Sequence, residues 1–181
     1  QKPQAIDINP ETHFAVVVNE KNNSITVTNL LNWQTTTIPV GKHPIDIAIN
    51  QLDNRALVIC DEDRSLLLID LNSSAILKTY ALNKLPQGVA VNNFTNIAAI
   101  SDDKTDSLTL IQLPNPVPQI TSTTPETILR GSSGETVNIQ GNKFTKTARA
   151  YFKNQPLETT FIDNHNLQVN ISKDLLINAG I

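Results

Sequence analysis

The sequence lacks features that would point to several common classes of protein. It contains one cysteine in 181 residues, so an intrachain disulfide is excluded. Aromatic residues make up only 4% of the chain, which argues against carbohydrate binding through surface aromatics. The net charge of −3 gives no support for nucleic-acid binding, which usually needs a basic face. No apolar run approaches the roughly 20 residues that a membrane-spanning helix requires.

Methionine is also absent, and the sequence starts at Gln1. We therefore expect the chain to be a processed or excised piece of a longer protein, and no signal peptide is visible. The composition is rich in Asn and Thr and poor in Lys and Glu. This composition suits an extracytoplasmic surface protein of a bacterium or archaeon.

The most informative feature of the sequence is an internal repeat. Four landmark positions recur in three copies with steps of 41 and 42 residues and no internal gap. They are Pro3, Pro44 and Pro86; Asn9, Asn50 and Asn92; Ala15, Ala56 and Ala98; and Ser24, Ser65 and Ser107.

Each copy predicts four short antiparallel strands. In the second copy, β-branched and apolar runs at 45–50, 55–60, 65–71 and 76–82 are separated by polar, turn-forming residues. A four-stranded unit of about 40 residues has the size of one β-propeller blade. The predicted fold class is therefore all-β, with three blades in residues 1–113.

The first strand of each copy predicts how the blades would stack. One side of this strand carries large residues and the other mostly small ones, which allows neighbouring sheets to pack at interior density. The large residues are Ile6, Ile8, Ile47, Ile49, Val89 and Val91; the small side carries Ala5, Asp7, Asp46, Ala48, Gly88 and Ala90.

Residues 1–113 resemble the YVTN-type β-propeller repeats. The matching segments are Pro-Gln-Gly-Val-Ala-Val-Asn at 86–92, Ala-Val-Val-Val-Asn at 15–19, Ser-Leu-Leu-Leu-Ile-Asp at 65–70 and Thr-Ile-Pro-Val-Gly at 37–41. The Tyr and Thr that the family carries in the second strand are replaced here. The resemblance implies a propeller fold and a secreted or cell-surface location, but no reaction.

Three blades are too few to close a ring, because propellers close with about four to eight. The third copy also reaches Pro114 without a fourth strand. We expect further blades of the same protein upstream of this piece. The alternative is a homo-oligomer in which two arcs complete a six-bladed ring.

A second domain follows a proline-rich linker at 114–117. Residues 118–181 resemble an IPT/TIG domain, an immunoglobulin-like β-sandwich, through Pro-x-Ile-Thr-Ser-x-x-Pro at 118–125, Gly-x-Thr-Val-x-Ile-x-Gly-x-x-Phe at 134–144 and Phe-x-Asn at 152–154. Val137, Ile139 and the alternating residues of 167–171 are expected to face one way. Gly141 indicates a bulge or tight bend, and we expect the sandwich to be C-terminally incomplete.

Titratable residues give no metal-binding or catalytic pattern. His13, His43 and His165 lie at expected loops or strand starts, without metal-ligand spacing, and are interpreted as solvated. Acidic residues at 61–63 and 102–106 occupy one hairpin in successive copies. We interpret them as solvated turns, with a calcium site as the alternative. Cys60, inside an apolar run, is expected to be a small buried hydrophobe.

Asp7 and Asp46 interrupt the small side of the first strand and need polar partners if buried. We expect them to accept hydrogen bonds from backbone N–H groups of the next blade, with a polar ligand near the axis as the alternative. Trp33 is interpreted as packing or rim decoration.

The sequence thus assigns no catalytic, cofactor-binding or metal-binding residue, and ligand-binding residues stay unknown. The preferred hypothesis is a noncatalytic extracytoplasmic structural or interaction module of a larger protein, with a protein or surface polysaccharide as partner. The alternative is a fragment of a periplasmic propeller enzyme, quinoprotein-like or haem-associated, whose active site lies outside this piece.

Overall fold

The computed structural model describes residues 2–102, 104 and 106–177. It divides the chain into two compact units, Gln1–Pro114 and Asn115–Ile181. Nearly all regular structure in the described residues is β-strand, which confirms the all-β prediction. The two described helices, η1 (Glu20–Asn22) and α1 (Lys173–Ile177), are short, and no described helix could traverse a lipid bilayer.

The first unit consists of three antiparallel sheets, one for each sequence repeat. Strands within each sheet follow chain order, so each sheet is a meander of hairpins. Blade 1 contains β1 (Pro3–Asn9), β2 (Phe14–Asn19), β3 (Ser24–Asn29) and β4 (Thr35–Pro39); blade 2 contains β5 (Pro44–Asn50), β6 (Arg55–Cys60), β7 (Ser65–Asp70) and β8 (Ala75–Ala81); blade 3 contains β9 (Pro86–Asn92), β10 (Ile97–Asp102) and β11 (Leu108–Gln112).

Blade 3 has three strands, as the sequence predicted. Among the described residues, no strand pairs with the outer edge of β11. A groove of about 370 Å³ lies beside this edge and is lined by Tyr80, Leu82, Thr109 and Ile111. It occupies the region next to β8 where a fourth strand of blade 3 would run.

Each blade has two faces, which we name by the neighbour towards which they turn. The leading face turns towards the preceding blade and the trailing face towards the following one. Residues that pair between adjacent strands lie on the same face of a sheet, so the strand pairing assigns each side chain to a face. The leading faces contain Ile6, Ile8, Ala15, Val17, Thr26 and Thr28 in blade 1; Ile47, Ile49, Ala56, Val58, Leu67 and Ile69 in blade 2; and Val89, Val91, Ala98, Ile100, Thr109 and Ile111 in blade 3.

The two seams between blades form the core of the first unit. Seam 1–2 packs Val16, Val18, Ile25 and Val27 of blade 1 against the leading face of blade 2. Seam 2–3 packs Leu57, Ile59, Leu66 and Leu68 of blade 2 against blade 3. The predicted pairing of large with small residues holds for the innermost strands but not for β6, which places Val58 on one face and Leu57 and Ile59 on the other.

The second unit contains one four-stranded sheet and one short hairpin. The sheet has the order β12 (Gln119–Thr124), β13 (Gly134–Asn142), β17 (Asn166–Ser172), β16 (Glu158–Phe161), and the hairpin pairs β14 (Tyr151–Phe152) with β15 (Gln155–Pro156). Val137 pairs with Val169 and Ile139 with Leu167, which confirms their common face. All four side chains are buried in one core with Phe144.

Gly141 lies where the pairing of β12 with β13 is irregular, as the sequence indicated. A Cβ atom at this position would collide with the carbonyl oxygen of Gln119 and with the ring of Phe144. Glycine is therefore required here for the close approach of two backbones.

Candidate functional site

The main polar cluster of the first unit bridges blades 1 and 2. His43, in the connection from β4 to β5, lies between two carboxylates from different blades. Its Nδ1 is 2.6 Å from Oδ1 of Asp61, which follows β6, and its Nε2 is 3.1 Å from Oε1 of Glu20, which follows β2. A neutral imidazole carries one N–H, so only the imidazolium can donate to both carboxylates at once.

The charges around His43 favour its protonated form. Burial lowers the pKa of His43, but the hydrogen bonds and charges of Asp61 and Glu20 raise it by more, so the pKa lies above its ordinary value. Glu20 is buried and also accepts from Nζ of Lys2 at 2.5 Å. The pKa of Glu20 lies below its ordinary value, mainly because Lys2 donates a hydrogen bond to it. Burial raises this pKa, but by less.

The expectation that all three histidines are solvated is wrong for His43. His13 and His165 are exposed, as expected, although Nδ1 of His165 also lies 3.0 Å from the carbonyl oxygen of Gly141. The two ring nitrogens of His43 face different carboxylates, so the arrangement does not converge on one point. Among the described residues, no group of three or more His, Cys, Asp or Glu side chains could hold a metal ion.

The acidic hairpins do more than form solvated turns. Besides Asp61, Asp63 accepts a 2.7 Å hydrogen bond from the backbone N–H of Lys42 in the connection between blades 1 and 2. In blade 3, Oδ1 of Asp102 accepts from the N–H of Lys104. Asp103, from the same acidic stretch, lies outside the described residues.

Asp7 and Asp46 bond across the seams, as expected. Oδ2 of Asp7 accepts from the N–H of Ile49 at 2.8 Å, and Oδ2 of Asp46 accepts from the N–H of Val89 at 2.9 Å. Each carboxylate thus satisfies a backbone donor on the innermost strand of the following blade. Of the two roles that the sequence allowed, the structure therefore supports hydrogen bonding between blades and not the binding of a polar ligand.

Two further bonds across the seams involve asparagines whose role the sequence analysis missed. Nδ2 of Asn9 donates to Oδ1 of Asn54 in blade 2, and Nδ2 of Asn50 donates to Oδ1 of Asn96 in blade 3, both at 2.9 Å. Asn54 and Asn96 share a left-handed backbone, with φ of 55° and 57°. Both donors were recognised as landmarks of the repeat, but the spacing alone did not pair them.

Cys60 is fully buried, which confirms its expected place in the core. Burial raises the pKa of its thiol to about 12, so the reactive thiolate is scarce near neutral pH. Its Sγ would lie 3.0 Å from a Cβ at position 41, where Gly41 leaves room for the thiol. The residue is therefore a packing element of seam 1–2.

Exposed apolar side chains occur in many parts of both units, and three groups of them could take part in binding. Ile6 and Ile8 project from blade 1, and Leu108 and Leu110 from blade 3. In the second unit, a cleft of about 530 Å³ opens between the four-stranded sheet and the β14–β15 hairpin. This cleft is continuous with the core of the sandwich, because the short hairpin covers only part of the sheet. The side chain of Trp33 is 74% exposed, so this residue lies at the surface of blade 1 and does not pack in its core.

These features define the class of protein to which the chain is similar. The first unit is a partial β-propeller of three stacked blades, and the second is an immunoglobulin-like β-sandwich. Residues 118–175 match the family model of the IPT/TIG domain, which confirms the resemblance of the second unit over that range. A comparison with curated protein sequences found no match.

Solved structures support the propeller architecture. Hydrazine synthase of Kuenenia stuttgartiensis superimposes with a TM-score of 0.56 at 14% identity, covering 76% of this chain and 41% of that one. A nidogen/laminin complex gives a TM-score of 0.52 at 12% identity, covering 77% of this chain and 56% of that one. The chain therefore spans about half the length of these structures, and at such identities the likeness shows the fold alone.

We predict that His43 makes the stability of the first unit depend on pH. Because its pKa is raised on folding from an ordinary value near 6.5, its contribution is fully present below that value and is lost as pH rises through the raised pKa. Urea unfolding at about pH 5.5 and about pH 8.5 should show a larger loss of stability for the unsubstituted protein than for His43→Gln. His13→Gln, at a histidine that is exposed in the single chain, is the matched control, and all three proteins are compared at a concentration at which they are single chains. Equal pH dependence in all three proteins contradicts the assignment.

We also predict that Asp46 contributes to stability through seam 2–3. Asp46→Ala leaves the N–H of Val89 without its acceptor and should cost about 1–3 kcal/mol in the free energy of unfolding. Asp46→Asn keeps an acceptor oxygen and should cost less. Denaturant titration measures both variants, and an unchanged stability of Asp46→Ala would show that the carboxylate has another role.

Proposed function

We propose that the chain is a noncatalytic structural and interaction module of a larger extracytoplasmic protein from a bacterium or archaeon. The propeller segment and the IPT/TIG domain are both scaffolds on which function depends on surfaces rather than on fold. The partner class is another protein or a surface polysaccharide. The proposal includes the YVTN-type assignment of residues 1–113, whose motifs at 37–41 and 86–92 support it.

One observation carries this proposal: several ionisable side chains of the first unit are held in contacts between blades. His43 bridges Glu20 and Asp61, while Asp7 and Asp46 bind backbone N–H groups. Removing them from these contacts would cost stability, which argues against a role in turnover. The conspicuous free surface is apolar instead, and such patches mark interaction sites.

The runner-up is a fragment of a propeller enzyme whose active centre lies elsewhere in a longer chain. One structure with a similar fold is named as a synthase and the other as a complex between two proteins. The fold likeness therefore supports either function. The commitment of the polar side chains to the seams favours the interaction module.

A cofactor titration of the larger protein separates the two functions, because the enzyme alternative places its active centre outside this chain. We expect haem and pyrroloquinoline quinone, each added separately to the larger protein, to give no saturable change in absorbance at stoichiometric concentration. The present chain alone is the matched control, because both hypotheses expect it to bind neither cofactor. Saturable binding by the larger protein but not by this chain would contradict the noncatalytic proposal and favour the enzyme.

The proposed location can be tested in the cells that produce the protein. Antibodies against the chain should label intact cells or the periplasmic fraction, and external protease should remove surface-located material. A cytoplasmic protein of known location serves as the control for lysis. Signal found only with that control would contradict an extracytoplasmic location.

A further inference from the structure

The two outer faces of the blade stack carry exposed apolar side chains at positions that are buried inside it. We propose that a second copy of this chain covers them head to tail. The trailing face of blade 3 in one copy then packs against the leading face of blade 1 in the other, and two such contacts join two copies. This inference rests on the interaction function proposed above and commits it to one partner.

The trailing face of blade 3 repeats the surface that fills the inner seams. Leu108 and Leu110 are 63% and 62% exposed, whereas Leu66 and Leu68, at the same positions of blade 2, are both 0% exposed. The equivalent residues of blade 1, Ile25 and Val27, are buried as well. The difference lies in the neighbour and not in the residue type, because all six side chains are aliphatic.

The leading face of blade 1 shows the complementary pattern. Ile6 and Ile8 are 63% and 44% exposed, whereas Ile47 and Ile49 at the same positions of blade 2 are 6% and 4% exposed. Stacked repeats normally end in units with a polar outer face, which keeps them soluble. The innermost strand of blade 1 and the third strand of blade 3 lack such polar cover, so these parts of the two outer faces have the character of interior surfaces.

A polar contact of the inner seams can also be repeated between copies. The Oδ1 atoms of Asn9 and Asn50 each accept a hydrogen bond from a backbone N–H in the turn that follows. Their Nδ2 atoms donate a hydrogen bond across a seam to the next blade. Oδ1 of Asn92, the equivalent residue of blade 3, accepts from its own turn in the same way, but this side chain is exposed.

The receiving position for Asn92 is occupied by His13 of the second copy. His13 takes the place of Asn54 and Asn96 and has the same left-handed backbone, with φ of 58°. A neutral imidazole offers one nitrogen as an acceptor, so it can replace the amide oxygen of an asparagine. The head-to-tail contact thus repeats the aliphatic contacts of a seam and one of its polar contacts. The carboxylate bonds are not repeated, because blade 3 has Gly88 and Ala90 at the positions equivalent to Asp46 and Asp7.

The number of blades is consistent with a closed ring of two copies. Two arcs of three blades make six, which lies within the roughly four to eight blades of closed propellers.

The contact between copies should be weaker than a seam within one chain. Thr26 and Thr28 lie on the leading face of blade 1 where blade 2 has Leu67 and Ile69. The contact between copies buries less apolar surface than seam 1–2, so we expect association to depend on concentration.

Analytical ultracentrifugation of the full chain across a dilution series tests the proposal. The expected mass approaches twice 19.9 kDa at high concentration and falls towards 19.9 kDa on dilution. Ile6→Asp on the leading face and Leu110→Asp on the trailing face should each remain a single chain. Both side chains are exposed, so neither substitution is expected to prevent folding, and circular dichroism verifies this.

Mixing the two variants distinguishes a head-to-tail contact from a symmetric one. The Ile6→Asp chain keeps its trailing face and the Leu110→Asp chain keeps its leading face, so the mixture should recover a two-chain species with one contact. A contact between like faces would be abolished by only one of the substitutions and would gain nothing from mixing. Leu129→Asp, at an exposed leucine of the second unit, is the matched control and should associate normally.

Three results would overturn the proposal. The first is a single-chain mass at every concentration, which would indicate that further blades of a longer chain cover the two faces. The second is association that neither substitution weakens. The third is a mass above that of two chains. The cofactor and location experiments do not depend on association. Failure of this inference and failure of the proposed function can therefore be told apart.

Discussion

The seam between neighbouring blades is the contact on which the first unit depends. A single blade is a thin sheet whose two faces must both be covered, and it has no core of its own. Bulky side chains of one leading face, such as Ile47 and Ile49, fill the space above the small residues of the preceding innermost strand. Cooperative stability therefore comes from stacking, as in other repeat architectures.

Polar groups in the seams must be satisfied because they are removed from water. Asp7 and Asp46 supply acceptors to backbone donors of the following blade, and Asn9 and Asn50 reach an asparagine there. These bonds are directional, whereas the aliphatic contacts are not. They therefore fix the register of one blade against the next, and the ionic bridge through His43 adds a further link across seam 1–2.

The sequence predicted the parts of this structure that depend on local pattern. Recurrence of Pro3 and Asn9 at steps of 41 and 42 residues defined the blades, and alternation within single strands defined their faces. It did not predict the bridge at His43, because Glu20 and Asp61 approach from turns of two different sheets. Nor did it show that Asn54 receives Asn9, since that pairing depends on how far one blade is rotated against the next.

Hydrogen exchange of individual amides tests the central claim most directly. The N–H groups of Ile49 and Val89 donate to carboxylates of the preceding blade. If seams hold the unit together, these amides should exchange as slowly as those of the middle strands, and only through global unfolding. Exchange as fast as in exposed turns would show that the blades separate freely and would contradict the account.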